Sequence, residues 1–105
     1  MKVAVTPLVR AQVVRCFAPA DVAVVCAELG EADLPLINND GERVHLALLH
    51  LASGDLEQFR VHLACAKSDW RDTLVAAGLG NVGWWRVLEA RGIDCRELSG
   101  IAHRR

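Results

Sequence analysis

Residues 41–67 read GERVHLALLHLASGDLEQFRVHLACAK and contain two helical patterns in succession. The first has apolar residues on more than one side, which is typical of a central helix that neighbours contact on both flanks. Gly54 and Asp55 separate the two patterns, and Asp55 with Gln58 has the spacing of a helix N-cap. The stretch therefore predicts a central helical hairpin over residues 41–67. The apolar residues of its two inward stripes are Val44, Ala47, Leu48 and Leu51, then Leu56, Phe59, Leu63 and Ala66.

Helix-start signals divide the preceding residues in the same way. Thr6 stands before Pro7, a hydroxyl cap followed by a proline at the first helical position. Pro19 opens a second apolar stripe, and Gly30 is expected to end that helix in a left-handed conformation. A connection follows, at the end of which Asn39 and Glu42 have the spacing of a capping box.

The C-terminal third shows shorter helical segments. Asp69 with Asp72 predicts the start of one helix, which Gly78 and Gly80 are expected to stop. Asn81 is expected to cap a last helix that Gly92 closes. Residues 93–105 have no strong period and are expected to form a loosely ordered tail. The whole chain is thus predicted to be one all-α domain, residues 1–105, a bundle or short array of about five to six antiparallel helices.

Composition limits the classes of function. The chain has 105 residues and a formal net charge of −1, which favours neither a nucleic-acid nor a membrane partner. Its four cysteines, Cys16, Cys26, Cys65 and Cys95, are widely spaced in a strongly apolar chain. We expect free, buried thiols in a cytoplasmic protein rather than disulfides.

Two stretches resemble a sequence pattern of small bacterial helical proteins. Residues 42–56, ERVHLALLHLASGDL, are similar to their ERVxLAxLxLAxGDL stretch, and residues 69–77, DWRDTLVAA, are similar to a later DW/YRDxLxAA stretch. The two occur in the same order and at a similar distance. The resemblance implies a compact helical cytoplasmic domain, and it implies no activity, cofactor or catalytic residue.

A glycine string near the C-terminus matches a dinucleotide-binding pattern. Gly78, Gly80 and Gly83 have the G-x-G-x-x-G spacing, and Glu97 lies near the distance expected of an acid that binds ribose. This alternative requires Thr73–Ala77 and Ile93–Leu98 to be strands of a parallel sheet. Because the upstream sequence has helical periods, glycines that end helices are the preferred interpretation, and no cofactor is expected.

Histidines and cysteines give weaker signals. His62 and Cys65 are three residues apart on one predicted helix and could form a zinc site with Cys16 or Cys26, but no C-x-x-C or H-x-x-x-H pair supports a metal. His45 and His50 are five apart, a poor helical pairing, and are expected at the surface or its boundary. No catalytic constellation is evident, so we expect a protein that is not an enzyme.

Trp84 and Trp85 are the strongest candidates for a partner surface. Adjacent residues on a helix point about 100° apart, so both rings are buried only if the helix is flanked on two sides. If Trp84 points inward, Trp85 lies partly exposed, and exposed tryptophans are enriched at interaction hot spots. The sequence therefore favours a non-catalytic interaction or regulatory module that binds a protein partner or a second copy of itself.

Overall fold

The computed structural model describes residues 1–36 and 40–98, apart from the side chain of Glu97. These ranges contain one short 3₁₀-helix, Cys95–Glu97, and six α-helices: α1 (Pro7–Cys16), α2 (Pro19–Glu31), α3 (Gly41–Ala52), α4 (Leu56–Ser68), α5 (Trp70–Ala76) and α6 (Trp84–Ala90). Extended pairing in them is limited to one isolated antiparallel bridge between Lys2 and Asp33. The predicted all-α class is confirmed.

Helix α3 lies at the centre of the fold. Nine of its twelve residues are buried, and it contacts α1, α4 and α5. The broad apolar face of its sequence explains this position, since a helix that buries more than one side needs neighbours on each. The prediction of a central helix is therefore confirmed.

Helices α3 and α4 form the predicted hairpin. Ser53 and Gly54 turn the chain with φ values of 49° and 81°, and the Asp55 carboxylate accepts a hydrogen bond from the Gln58 N–H at 3.1 Å. A connection of three residues has the length typical of an αα-hairpin, in which the second helix runs antiparallel to the first. Phe59 of α4 then meets Phe17 edge to face, with ring centroids 6.0 Å apart.

Two of the other predicted helix starts are also capped as expected. The Thr6 hydroxyl accepts from the Val9 N–H at 3.3 Å, and the Asp69 carboxylate accepts from the Asp72 N–H at 3.3 Å. The Thr6 hydroxyl also donates to the Glu42 carboxylate, which joins the start of α1 to the start of α3. Asn39 lies outside the described residues, and Asp40 directly precedes α3.

Two helix ends differ from the expectations. Gly30 lies inside α2, which continues to Glu31 and leaves through Ala32 in an extended conformation, so no left-handed residue is needed there. Asn81 does not cap α6 with its side chain, because α6 begins at Trp84 after Gly83, and the Asn81 carbonyl accepts from the Trp84 N–H at 3.1 Å.

The first part of the C-terminal segment packs against the core. Ile93, Cys95 and Leu98 are buried against the core, and the Cys95 thiol lies 3.1 Å from the Trp85 carbonyl. Residues 93–98 therefore pack against the domain, while residues 99–105 lie outside the described part. None of the described helices combines the length and the apolar character that crossing a bilayer requires.

Candidate functional site

The glycine string joins two short helices. Thr73–Ala77, the strand that a dinucleotide site would need, belongs to α5 up to Ala76, and the Leu79 N–H bonds to the Leu74 carbonyl at 2.8 Å to close that helix. Gly78, with a φ of 78°, supplies the left-handed residue. The expected strand over Ile93–Leu98 is replaced by the 3₁₀-helix that contains Glu97. The interpretation of helix-ending glycines is therefore confirmed, and the strand expectation of the alternative is wrong.

Helix α6 presents the tryptophan pair at its N-terminal end. Trp84 and Trp85 are both half-buried against the core, whereas Leu88 is the α6 residue that is fully buried. The Arg43 guanidinium lies 4.8 Å from the Trp84 ring centroid, and Arg86 lies 5.0 Å from that of Trp85. Each ring thus carries a cation against one face, an attractive arrangement for aromatic groups.

The solvent side of α6 combines apolar and charged groups. Val82, just before the helix, is 96% exposed, and Arg86 and Glu89 are also exposed. Trp85 and Glu89 are four residues apart and share one side of the helix. We call Val82, Trp85, Arg86 and Glu89 the outward face of α6.

A cleft of about 220 Å³ lies between α1, α3 and the C-terminal end of α6. Its apolar floor consists of four residues from α3, α6 and the segment after α6: Leu46, Leu49, Leu88 and Ile93. Its polar lining consists of Gln12, Arg15, Cys16, His50 and Arg91. The cleft is therefore apolar at the base and rich in cationic groups, and in the part of the chain that the structure describes none of its lining residues is acidic.

Backbone carbonyls hold the two cleft arginines. Arg91 Nη2 donates to the Ala77 carbonyl at 2.7 Å, and Arg15 Nη1 donates to the Gly92 carbonyl at 3.4 Å. Burial and the charge of Arg91 together lower the pKa of His50, burial being the larger cause. His50 is exposed, as expected, but its position in a cationic cleft was not predicted.

His45 is not at the surface or its boundary, which corrects the sequence expectation. It is fully buried, and neither ring nitrogen makes a hydrogen bond of normal geometry with the described residues. Burial lowers the pKa of His45 to about 4, and the nearby Leu29 carbonyl opposes this only in part. The apolar character of α3 on several sides was the signal that could have placed this residue inside.

The cysteines are free and divide into two classes. Cys26 and Cys95 are buried, as expected, whereas Cys16 and Cys65 are exposed. The expectation of buried thiols is therefore wrong for the latter two. Cys16 is the last residue of α1, and Cys65 is adjacent to the inward residue Ala66 rather than part of the inward stripe.

His62 and Cys65 do line one depression, as their spacing suggests, together with Asp69 and Asp72. Asp69 already caps α5, and Cys16 lines the separate cleft. In residues 1–36 and 40–98, no group of three histidine, cysteine or acidic side chains has a geometry that could hold a metal ion.

A scan against protein-family models found no match to this chain, and searches of curated proteins and of solved structures found none either.

Proposed function

We propose that this chain is a non-catalytic interaction module that pairs with a second copy of itself through the outward face of α6. The observation that carries the proposal is the half-buried Trp85, three residues after Val82, which is 96% exposed. Tryptophan contributes a large contact area when a partner covers it, and it is enriched among residues that dominate binding energy. Leu88 is buried and fixes α6 against the core, while Arg86 and Glu89 of the same helix remain exposed.

The charges of α6 support a second copy as the partner. In an antiparallel pair of α6 helices related by a two-fold axis between Val87 and Leu88, Arg86 of each copy lies opposite Glu89 of the other. A two-fold contact requires one surface to be complementary to itself, and this sequence of charges meets that requirement.

The size of the face predicts a weak dimer. Seven residues of α-helix are about 10 Å long. Stable interfaces bury roughly 1,200–2,000 Å² in total, more than one such helix pair supplies. We therefore expect a monomer at low micromolar concentration and a growing dimer fraction as the concentration rises towards the millimolar range.

The first test replaces Trp85 by alanine and measures self-association by sedimentation equilibrium. Loss of a central aromatic contact should raise the dimer dissociation constant about 30-fold while most of the stability remains. Val14→Ala, a change at an exposed residue of α1, is the control and should leave the constant unchanged. Loss of folding stability in proportion to the loss of association would show that Trp85 belongs to the core and contradict the proposal.

The second test uses charge reversal and mixing. The Arg86→Glu chain carries two carboxylates on the outward face, and the Glu89→Arg chain carries two guanidinium groups, so each should associate less than the wild type. An equimolar mixture should form the mixed dimer, because both cross-pairs are then attractive. Lys67→Glu and Glu57→Arg make the corresponding charge reversals at exposed positions of α4 and are the control pair. Preferential pairing in that control mixture, or none in the α6 mixture, would overturn the two-fold arrangement.

A cytoplasmic location belongs to the same proposal. Its support is the pair of exposed free thiols, Cys16 and Cys65, since exposed thiols persist in reducing compartments.

A further inference from the structure

We infer that the cleft between α1, α3 and α6 binds a small organic carboxylate, with its charge beside Arg15 and Arg91 and its apolar body on the leucine and isoleucine floor. This inference does not depend on the proposed dimer, because the cleft lies between helices of one chain and its polar residues are not on the outward face of α6.

The charge of the lining points to an anion. Arg15, His50 and Arg91 line the cleft, and none of the described side chains that line it is acidic. The chain as a whole has 13 acidic and 12 basic residues, so a lining without a carboxylate is a local arrangement rather than a consequence of composition. Neither Arg15 nor Arg91 makes an ion pair with the described residues.

The arginines are held in place before a ligand arrives. Each uses one terminal nitrogen to donate to a backbone carbonyl, Arg15 to Gly92 and Arg91 to Ala77. Nη1 of Arg91 is buried and has no hydrogen-bond acceptor among the described residues. A carboxylate matches the planar fork of N–H donors that a guanidinium presents.

The floor and the size of the cleft limit the body of the ligand. Leu46, Leu49, Leu88 and Ile93 provide an apolar base that inorganic phosphate would not cover. A volume of about 220 Å³ is smaller than the roughly 300–1,000 Å³ of sites for drug-sized ligands. A single ring or a short alkyl chain with one carboxylate fits these limits.

Proton uptake should accompany binding. The described charged and titratable groups that share the cleft with His50 are Arg15 and Cys16 of α1 and Arg91, which directly follows α6. The charge of Arg91 and burial lower the pKa of His50, and a bound carboxylate offsets part of that positive field. The pKa of His50 therefore rises in the complex. The affinity for the carboxylate increases as the pH falls towards the pKa that His50 has in the free protein.

Benzoate is the probe for the test, and the alkylation rate of Cys16 by iodoacetamide is the readout. Cys16 lines the cleft, whereas Cys65, which is also exposed, lines a different depression and serves as an internal control. Benzoate should slow the Cys16 reaction several-fold in a saturable manner and leave the Cys65 rate unchanged. Equal protection of both thiols, or of neither, would overturn the inference.

Two further compounds distinguish the contribution of the carboxylate of benzoate from that of its ring. Benzyl alcohol has the ring without the carboxylate, and inorganic phosphate has the charge without the ring. Both should protect Cys16 less than benzoate does. Equal protection by the alcohol would show that the arginines play no part, and equal protection by phosphate would show that the floor plays none.

Arg15→Gln tests the cation directly. Arg15 is an exposed residue of α1, so the variant should fold normally, which its circular dichroism spectrum checks. It should raise the dissociation constant of benzoate about tenfold, the usual scale for a lost charge-assisted hydrogen bond. Arg10→Gln removes an exposed arginine from the same helix outside the cleft, and affinity should not change. Unchanged benzoate binding by Arg15→Gln would contradict the inference.

Discussion

His45 is a buried ionisable group in an otherwise apolar helix. It is fully buried within α3, and its two ring nitrogens lack hydrogen bonds of normal geometry with the described residues. Burying a polar group without partners costs free energy, and burying its charged form costs much more. The residue is therefore neutral at pH 7 in the folded chain, and its cost appears when the medium becomes acidic.

Acid should destabilise the fold through His45. Its pKa is about 4 in the folded state and near 6.5 when unfolded, so between these values the unfolded chain binds more protons. The contribution of the neutral His45 to the free energy of unfolding is fully present above pH 6.5. It is lost as the pH falls to 4, which lowers the free energy of unfolding by about 3 kcal/mol. Urea denaturation across this range should show His45→Leu losing that part of the pH dependence.

Val61→Ala is the control for this measurement. Val61 is exposed on α4 and is not ionisable, so its replacement should leave the pH dependence of the free energy of unfolding close to that of the wild type. An unaltered pH profile in His45→Leu would show that another group, rather than this histidine, controls the acid response.

At the scale of the helices, two glycines behave in opposite ways. Gly54 follows α3 with a φ of 81°, and a Cβ built there lies 2.5 Å from the Cys16 carbonyl oxygen, so the turn between α3 and α4 approaches the end of α1 too closely for a side chain. Gly30 lies inside α2, where a Cβ would make an ordinary contact at 3.7 Å with Val5.

Alanine substitutions should therefore change stability in opposite directions. Gly54→Ala should lower the free energy of unfolding by more than about 1 kcal/mol, because the left-handed conformation and the backbone contact both oppose a side chain. Gly30→Ala should raise it by roughly 0.5–1 kcal/mol, because alanine loses less conformational entropy in a helix interior. Thermal or urea unfolding measures both. The same sign for the two variants would contradict the assigned bounds of α2 or the turn after α3.

At the scale of the whole molecule, the thiols report on how completely the helices close over the core. Cys16 and Cys65 are exposed, whereas Cys26 and Cys95 are buried. A buried thiol reacts only when the structure around it opens. In native buffer we expect two thiols to react rapidly with a chromogenic disulfide reagent and two to react slowly.

Denaturant supplies the control, since all four thiols should react rapidly in concentrated urea. Trapping with an alkylating agent during cell lysis should find Cys16 and Cys65 reduced if the proposed cytoplasmic location is right. Rapid reaction of a third thiol in native buffer would contradict the burial of Cys26 or Cys95, and oxidised Cys16 or Cys65 in cells would contradict the location.

The predictable part of this fold is the part encoded over a few residues. The caps at Thr6, Asp55 and Asp69 and the glycine stop at Gly78 each depend on groups within one or two helical turns, so the sequence could reveal them. The helix end expected at Gly30 failed, because the chain beyond it is drawn into an extended path where the Leu34 N–H bonds to the Met1 carbonyl at 3.0 Å.

By itself, the amino-acid sequence determined that the chain is helical, that residues 41–67 form a central hairpin, and that the glycine string begins with the end of a helix at Gly78. Only the tertiary structure decided that His45 is buried and that Arg15, His50 and Arg91 share one cleft. The physical reason is the separation along the sequence of the residues that interact. Helix periods and caps arise from neighbours along the chain, whereas burial and a cleft depend on contacts between α1, α3 and α6, whose residues are tens of positions apart.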